Sequence, residues 1–149
     1  MSEPVFEFVR VVVDLNVLVS GIINNGPPSQ LLRAAAEGKY ELCISLMMLN
    51  RLEEVLGREK FVQHLARAQR SPAEIVAQLA ELATLVVPTA MAQPVTADEE
   101  DDRVLATALA AKADWVVSGD RRHLLSLQNY KGIRILPPRI AIVDLGLER

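Results

Sequence analysis

The sequence predicts a three-layer α/β/α sandwich around a mostly parallel sheet of about five strands. Three observations carry that expectation. Short apolar runs rich in β-branched residues, such as Val9-Arg10-Val11-Val12-Val13, are too short and too continuous for a surface helix and suit strands buried on both faces. Helical segments of about ten or more residues separate these runs, so successive strands need crossover connections and should lie parallel. Function in such sheets gathers beyond the carboxyl ends of the strands, here Asp14, Ser45, the loop after Val87, Asp120 and Pro137. Two of those positions are aspartates.

The first strand ends at Asp14, and the chain turns helical from Val17 to Ile23 before Asn24-Asn25-Gly26-Pro27-Pro28 breaks it. Ser29 is expected to cap a helix from Gln30 that Gly38 closes, and Tyr40 to Ser45 is a second strand. From Leu46 to Leu56 a helix carries Leu49, Leu52 and Leu56 on one stripe; Gly57 loosens it, and another helix begins near Lys60. In Ser71-Pro72-Ala73-Glu74 the serine suits a cap, the proline the first helical position, and the glutamate can reach back to the cap's amide. That helix should run to about Ala83. Leu85 to Val87 is a short strand, and Pro88 to Ala97 a loop that reaches the acidic run Asp98-Glu99-Glu100-Asp101-Asp102. A helix with Val104, Leu105, Ala108, Leu109 and Ala111 on its apolar face follows. Trp115 to Ser118 is a fourth strand, cut by Gly119-Asp120 and followed by a helix around His123 to Leu127. Ile133 to Leu136 is the fifth, stopped by Pro137-Pro138.

A chain of 149 residues has the length of a single domain, and no repeat or long linker divides residues 1–149. With 50% hydrophobic residues and mean hydropathy of +0.20, it has ample apolar material for a core. No apolar run approaches the roughly 18 to 20 residues of a membrane span, so a cytoplasmic protein without membrane contact is expected. The single Cys43 precludes an internal disulfide, and two histidines do not make a structural zinc site, so any metal must rest on oxygen. A net charge of −3 argues against coating nucleic acid by bulk charge and leaves room for a local basic patch.

Asp14 emerges from a run of valines, and Asp120 from Trp115-Val116-Val117-Ser118-Gly119. Each also suits a helix cap, while Asp101 and Asp102 stand at a helix start where the macrodipole favours carboxylates. In the predicted topology Asp14, Asp102 and Asp120 reach one edge of the sheet. Three carboxylates within about 5 Å of one another repel by several kcal/mol at an effective dielectric near 20, and no lysine lies close to them in sequence. Oxygen ligands of this kind suit Mg²⁺ or Mn²⁺, which lower the pKa of bound water and stabilise charge on a phosphodiester. The implied chemistry is metal-assisted phosphodiester hydrolysis.

At these residues the chain resembles PIN-domain proteins, in particular the bacterial toxin components of toxin-antitoxin pairs, over almost its whole length. Val11-Val12-Val13-Asp14-Leu15-Asn16 resembles the family's opening Asp-Thr-Asn block, and Gly26-Pro27-Pro28 through Gly38 the loop and helix after it. Asp98 to Ala108 resembles the acidic helix start, and Val116-Val117-Ser118-Gly119-Asp120 with Leu124-Leu125 the Val-Thr-Gly-Asp block. The resemblance implies a PIN-like sandwich and cleavage of single-stranded RNA by Mg²⁺ or Mn²⁺ held on Asp14, Asp102 and Asp120, which are also the implied catalytic residues. Asp101 is implied as an accessory ligand, with Asn16 and Ser118 hydrogen-bonding behind the acids. A homodimer and a small antitoxin whose tail covers the acidic groove are implied as partners.

Two positions depart from the family. Arg51 stands where the family has a glutamate ahead of a Leu-x-x-Val-Leu pattern, here Leu52-Glu53-Glu54-Val55-Leu56, and Leu15 replaces the threonine of the opening block. Glu54, one turn after Arg51, is the candidate substitute ligand; a solvated helix face is the competing reading of Glu53 and Glu54. Arg51 could instead reach into the acids and replace the metal's charge, leaving a degenerate nuclease that serves as an interaction module. Met47, Met48, Leu49, Leu79 and Leu82 would supply its partner surface.

RNA would approach over Arg121, Arg122, Arg51, Arg58 and Lys60. No histidine is expected at the site as a general base, and 4% aromatics make a base-stacking platform improbable. A phosphoacceptor receiver domain would need an acid pair after the first strand and a late lysine beside the site. A haloacid-type phosphatase would need an aspartate where Asn16 stands.

Overall fold

Near-unbroken valine runs become the centre of the sheet. In the computed structural model, which describes residues 8–89 and 94–147, β1 (Arg10–Val13) lies between β2 (Glu41–Ser45) and β4 (Trp115–Val117). β3 (Thr84–Val86) pairs with β2, and β6 (Ile133–Leu136) with β4, all parallel. Val11, Val12, Val116 and Val117 are fully buried, as strands covered on both faces must be. β5 (Asn129–Tyr130) adds a sixth, antiparallel strand at the edge, so the order is β3-β2-β1-β4-β6-β5. A strand of two residues shows no period, so the sequence predicts about five strands where the sheet has six. β5 turns into β6 through Lys131 and Gly132, both at positive φ (49° and 83°), the backbone a two-residue hairpin requires.

Seven helices occur among the described residues: α1 (Leu15–Ile23), α2 (Pro27–Ala36), α3 (Leu46–Leu56), α4 (Glu59–Arg67), α5 (Pro72–Leu82), α6 (Glu99–Ala111) and α7 (Pro138–Asp144). The chain steps from β1 to β2 to β3 in one direction, then returns through α6 to β4 on the far side of β1. Right-handed crossovers in opposite directions put their helices on opposite faces. Accordingly α6 packs on β1, β2, β3 and β4, while α1 packs with α2 and α3, α2 with α7, and α3 with α5. This is a three-layer α/β/α sandwich. The strand order reverses between β1 and β4, the kind of switch point at whose carboxyl ends ligands bind in open parallel sheets.

Several expected boundaries move for local reasons. α2 begins at Pro27 rather than Gln30: Gly26, at φ 123°, is the cap residue, and Ser29 lies inside the helix. Proline fits the first turn because its missing N–H would have no partner there. The same rule lets Pro138 open α7 just after the prolines end β6 at Leu136, as expected. The helix expected at His123 to Leu127 is a turn and a single 3-10 turn, Leu125–Leu127. β3 lies one residue earlier than expected. At α5, Ser71 Oγ accepts from the Glu74 amide (3.2 Å) and donates to Glu74 Oε1 (3.1 Å), so the glutamate engages the cap's hydroxyl and not its amide. Residues 90–93 of the expected loop lie outside the described residues. Among the described residues no helix is long and apolar enough to cross a membrane.

Candidate active site

Asp14 is delivered by the register of the two central strands. Val13 pairs with Val117, and the Asp14 amide donates to Val117 O at 2.9 Å, so the residues that follow β1 and β4 emerge side by side. The Asp14 carboxylate is 3% exposed: Oδ1 accepts from the Val17 amide (2.9 Å) and Oδ2 from the Ser118 hydroxyl. Asp14 therefore caps α1 at the carboxyl end of β1. Burial pushes its pKa up to about 6, against the lowering pull of the Ser118 and Val17 bonds, and the Asp120 charge adds to the rise.

Ser118 is fully buried and ties the second acid to the first. Its Oγ accepts from the Asp120 amide (2.9 Å) while its proton goes to Asp14. Asp120 Oδ1 accepts from the amides of Arg122 (2.9 Å) and His123 (3.1 Å), closing the turn after Gly119. Desolvation would raise the Asp120 pKa, but hydrogen bonds from Asp101 and from the His123 and Arg122 amides hold it below the usual value.

The third acid comes from α6, and the neighbouring residues 101 and 102 divide differently from the sequence expectation. Asp98 caps the helix, accepting from the Asp101 amide at 3.0 Å. Asp101 is 8% exposed and shares the buried stripe of Val104, Leu105 and Ala108. Its carboxyl is raised to about 8, first by burial, then by its hydrogen bond to Asp120 and the charges of Asp98, Asp120 and Asp14. Asp102, one residue and about 100° further round the helix, turns to the loop before α6. There its Oδ1 accepts from the Val95 amide (3.2 Å), the Thr96 amide (2.8 Å) and the Thr96 hydroxyl (2.9 Å). The acid that joins Asp14 and Asp120 is thus Asp101, and Asp102 anchors a loop. The spacing 101, 104, 105, 108 was the signal available in the sequence; the adjacent apolar Leu109 made the stripe of Asp102 equally plausible.

The remaining expected positions lie around this cluster. Arg51 does not enter it: its guanidinium pairs with Glu100 and with Glu54 (3.5 Å), linking α3 to α6. Glu54 is 70% exposed on its side chain and is engaged with Arg51, not with the acids. Asn16 is exposed and makes no hydrogen bond to them among the described residues. Arg121, Arg122, Arg58 and Lys60 are exposed, the first two adjoining Asp120 in sequence. Contrary to expectation a histidine does reach the site: ligand atoms of Asp98, Asp101 and His123 lie within 4.8 Å of one another.

Two strand ends at a topological switch point and one acidic helix start thus supply one carboxylate cluster. The family model of the PIN domain matches residues 10–122, from the first residue of β1 to just beyond Asp120. The chain belongs to the PIN-domain family. No curated protein matches it. PIN domains are generally nucleases that use divalent metals, and the residues of this PIN domain fit such an ion. Among the described residues no amide, hydroxyl or cation reaches the buried Asp101 Oδ2, whose carboxyl has only the acid Asp120 beside it, an expense of about 1–3 kcal/mol that a cation would remove. The upward pKa shifts of Asp14 and Asp101 reflect the same deficit of positive charge. β6 and α7 extend beyond the matched segment, and β6 completes the sheet beside β4.

Proposed function

We propose that this PIN domain is a Mg²⁺- or Mn²⁺-dependent endoribonuclease acting on single-stranded RNA, with Asp14, Asp101 and Asp120 as the ligand and catalytic acids. The convergence of carboxylates from three separate elements around the unpartnered Asp101 Oδ2 carries this reading. A divalent ion bound there supplies charge stabilisation for the phosphodiester and an acidified water. The chain's own residues do the positioning. Ser118 fixes the Asp14 carboxylate by donating to Oδ2, and the Arg122 and His123 amides fix the Asp120 carboxylate by donating to its Oδ1, so the rotation of both acids is set before any substrate arrives. Arg121 and Arg122, exposed and next to Asp120 in sequence, would supply positive charge to backbone phosphates.

The finer biological role follows the resemblance to toxin components: a cytoplasmic toxin, homodimeric, restrained by a small antitoxin protein. In the rival reading, a degenerate interaction module, Arg51 supplies the cluster's positive charge; the pairing of Arg51 with Glu100 and Glu54 favours the enzyme. The test is cleavage of labelled single-stranded RNA with Mn²⁺, Mg²⁺ or EDTA. Metal-dependent cleavage that Asp14→Asn, Asp101→Asn and Asp120→Asn each reduce by at least about a hundredfold supports the proposal. A folded wild type that neither binds Mn²⁺ nor cuts RNA would be the degenerate module.

A further inference from the structure

Beside the three acids lies a second donor set of different chemistry. The ligand atoms of Asp98, Asp101 and His123 fall within 4.8 Å of one another, two from the start of α6 and one from the turn after β4. Asp98 uses Oδ1 for the helix cap. Asp101 belongs to both groups: it is 8% exposed, and among the described residues no amide, hydroxyl or cation reaches its buried Oδ2, the same atom around which the carboxylates converge. The backbone holds His123 in place, as its amide donates to Asp120 Oδ1 at 3.1 Å. Its imidazole has no hydrogen bond among the described residues.

We propose that Asp98, Asp101 and His123 form a mixed nitrogen and oxygen cation position, sharing Asp101 with the carboxylate cluster and selecting Mn²⁺ over Mg²⁺. The selection follows from donor chemistry. Mg²⁺ binds oxygen and keeps its waters, whereas a first-row transition ion accepts an imidazole nitrogen readily. A site of three carboxylates alone discriminates far less between the two ions. The inference rests on the reading of this edge as a divalent-metal centre, which it deepens by assigning a nitrogen ligand and a metal preference.

The test uses the full chain titrated with Mn²⁺ and with Mg²⁺ by calorimetry, together with pulsed electron paramagnetic resonance of the Mn²⁺-loaded protein. The expected result is ¹⁴N coupling to Mn²⁺ that His123→Gln abolishes, and a Mn²⁺ affinity that falls by at least roughly tenfold while Mg²⁺ affinity changes little. Asp98→Asn, which retains a capping oxygen, should weaken Mn²⁺ in the same direction and provides a second variant should His123→Gln fold poorly. Mn²⁺ bound without nitrogen coupling, or with coupling that survives His123→Gln, overturns this inference and leaves the carboxylate centre standing. Failure of wild type to bind Mn²⁺ at all overturns both.

Discussion

A carboxylate at position 101 is stripped of water by the sheet and crowded by other acids, while its neighbour at 102 collects two backbone amides and a hydroxyl. Their substitutions should therefore separate cleanly. Asp101→Asn is expected to abolish Mn²⁺ binding and, because an amide can be buried without taking up a proton on folding, to raise the melting temperature of the metal-free protein at neutral pH by about 2–4 °C, which corresponds to about 1 kcal/mol for a chain of this size. Asp102→Ala should do the reverse. It leaves the Val95 and Thr96 amides without their acceptor and costs about 1–3 kcal/mol, with Mn²⁺ still bound. Calorimetric titration and thermal denaturation of both variants check the pair, and loss of Mn²⁺ binding in Asp102→Ala alone would reverse the assignment. Arg51 is a third case. Because it pairs with Glu100 and Glu54 outside the cluster, Arg51→Ala should alter the Kd for Mn²⁺ by less than about threefold. A site whose positive charge came from that guanidinium would instead gain affinity strongly.

Among the elements, α1 and α2 pack closely because Gly21 has no side chain. A Cβ built there would lie 2.7 Å from Pro28 O and 2.8 Å from Leu32 Cδ1. Leu32 can rotate, whereas the Pro28 carbonyl belongs to the first turn of α2 and cannot move without shifting the helix. Gly21→Ala should thus destabilise the fold by about 1–3 kcal/mol, measured by urea denaturation, despite alanine's better helix propensity. Propensity alone predicts stabilisation, so the sign of the change decides between local preference and packing. The same precedence of context over local signal explains the boundaries. Pro27 opens α2 ahead of the expected start at Gln30, and the turn after Asp120 is spent on holding that carboxylate instead of forming a helix.

Across the whole molecule, the converging acids make stability depend on pH in a direction opposite to that of ordinary paired carboxylates. Asp14 and Asp101 have folded pKa values of about 6 and about 8, both above the usual 3.8. Above pH 4 the unfolded chain has released these two protons while the folded chain still binds them, so folding is favoured by the proton at low pH. This contribution is complete below about pH 4 and fades as pH rises, ending near pH 6 for Asp14 and near pH 8 for Asp101. Asp120, held below its usual value, contributes in the opposite sense at acid pH. With EDTA present, the melting temperature should decline between about pH 5 and pH 8, and Asp101→Asn should flatten the upper part of that decline. Saturating Mn²⁺ should remove the decline, because the ion takes the place of the protons and binds more tightly as they leave. A melting temperature that rises over this range without metal would show that the acids do not share a site.

The sequence by itself determined the layer architecture, the parallel central strands and the strand-end positions of Asp14 and Asp120, because buried valine runs and the ends of strands leave periodic, local marks. Asp14 and Asp120 each close such a run. Only the tertiary structure decided which α6 acid joins them, since residues 101 and 102 differ by about 100° around one helix and both are compatible with an apolar stripe on that helix. It also decided the outward pairing of Arg51 and the arrival of His123, because these depend on where α3 and the turn after β4 meet α6. Local chemistry sets what each segment forms; the direction in which a side chain finally points is set by packing between segments far apart in the chain.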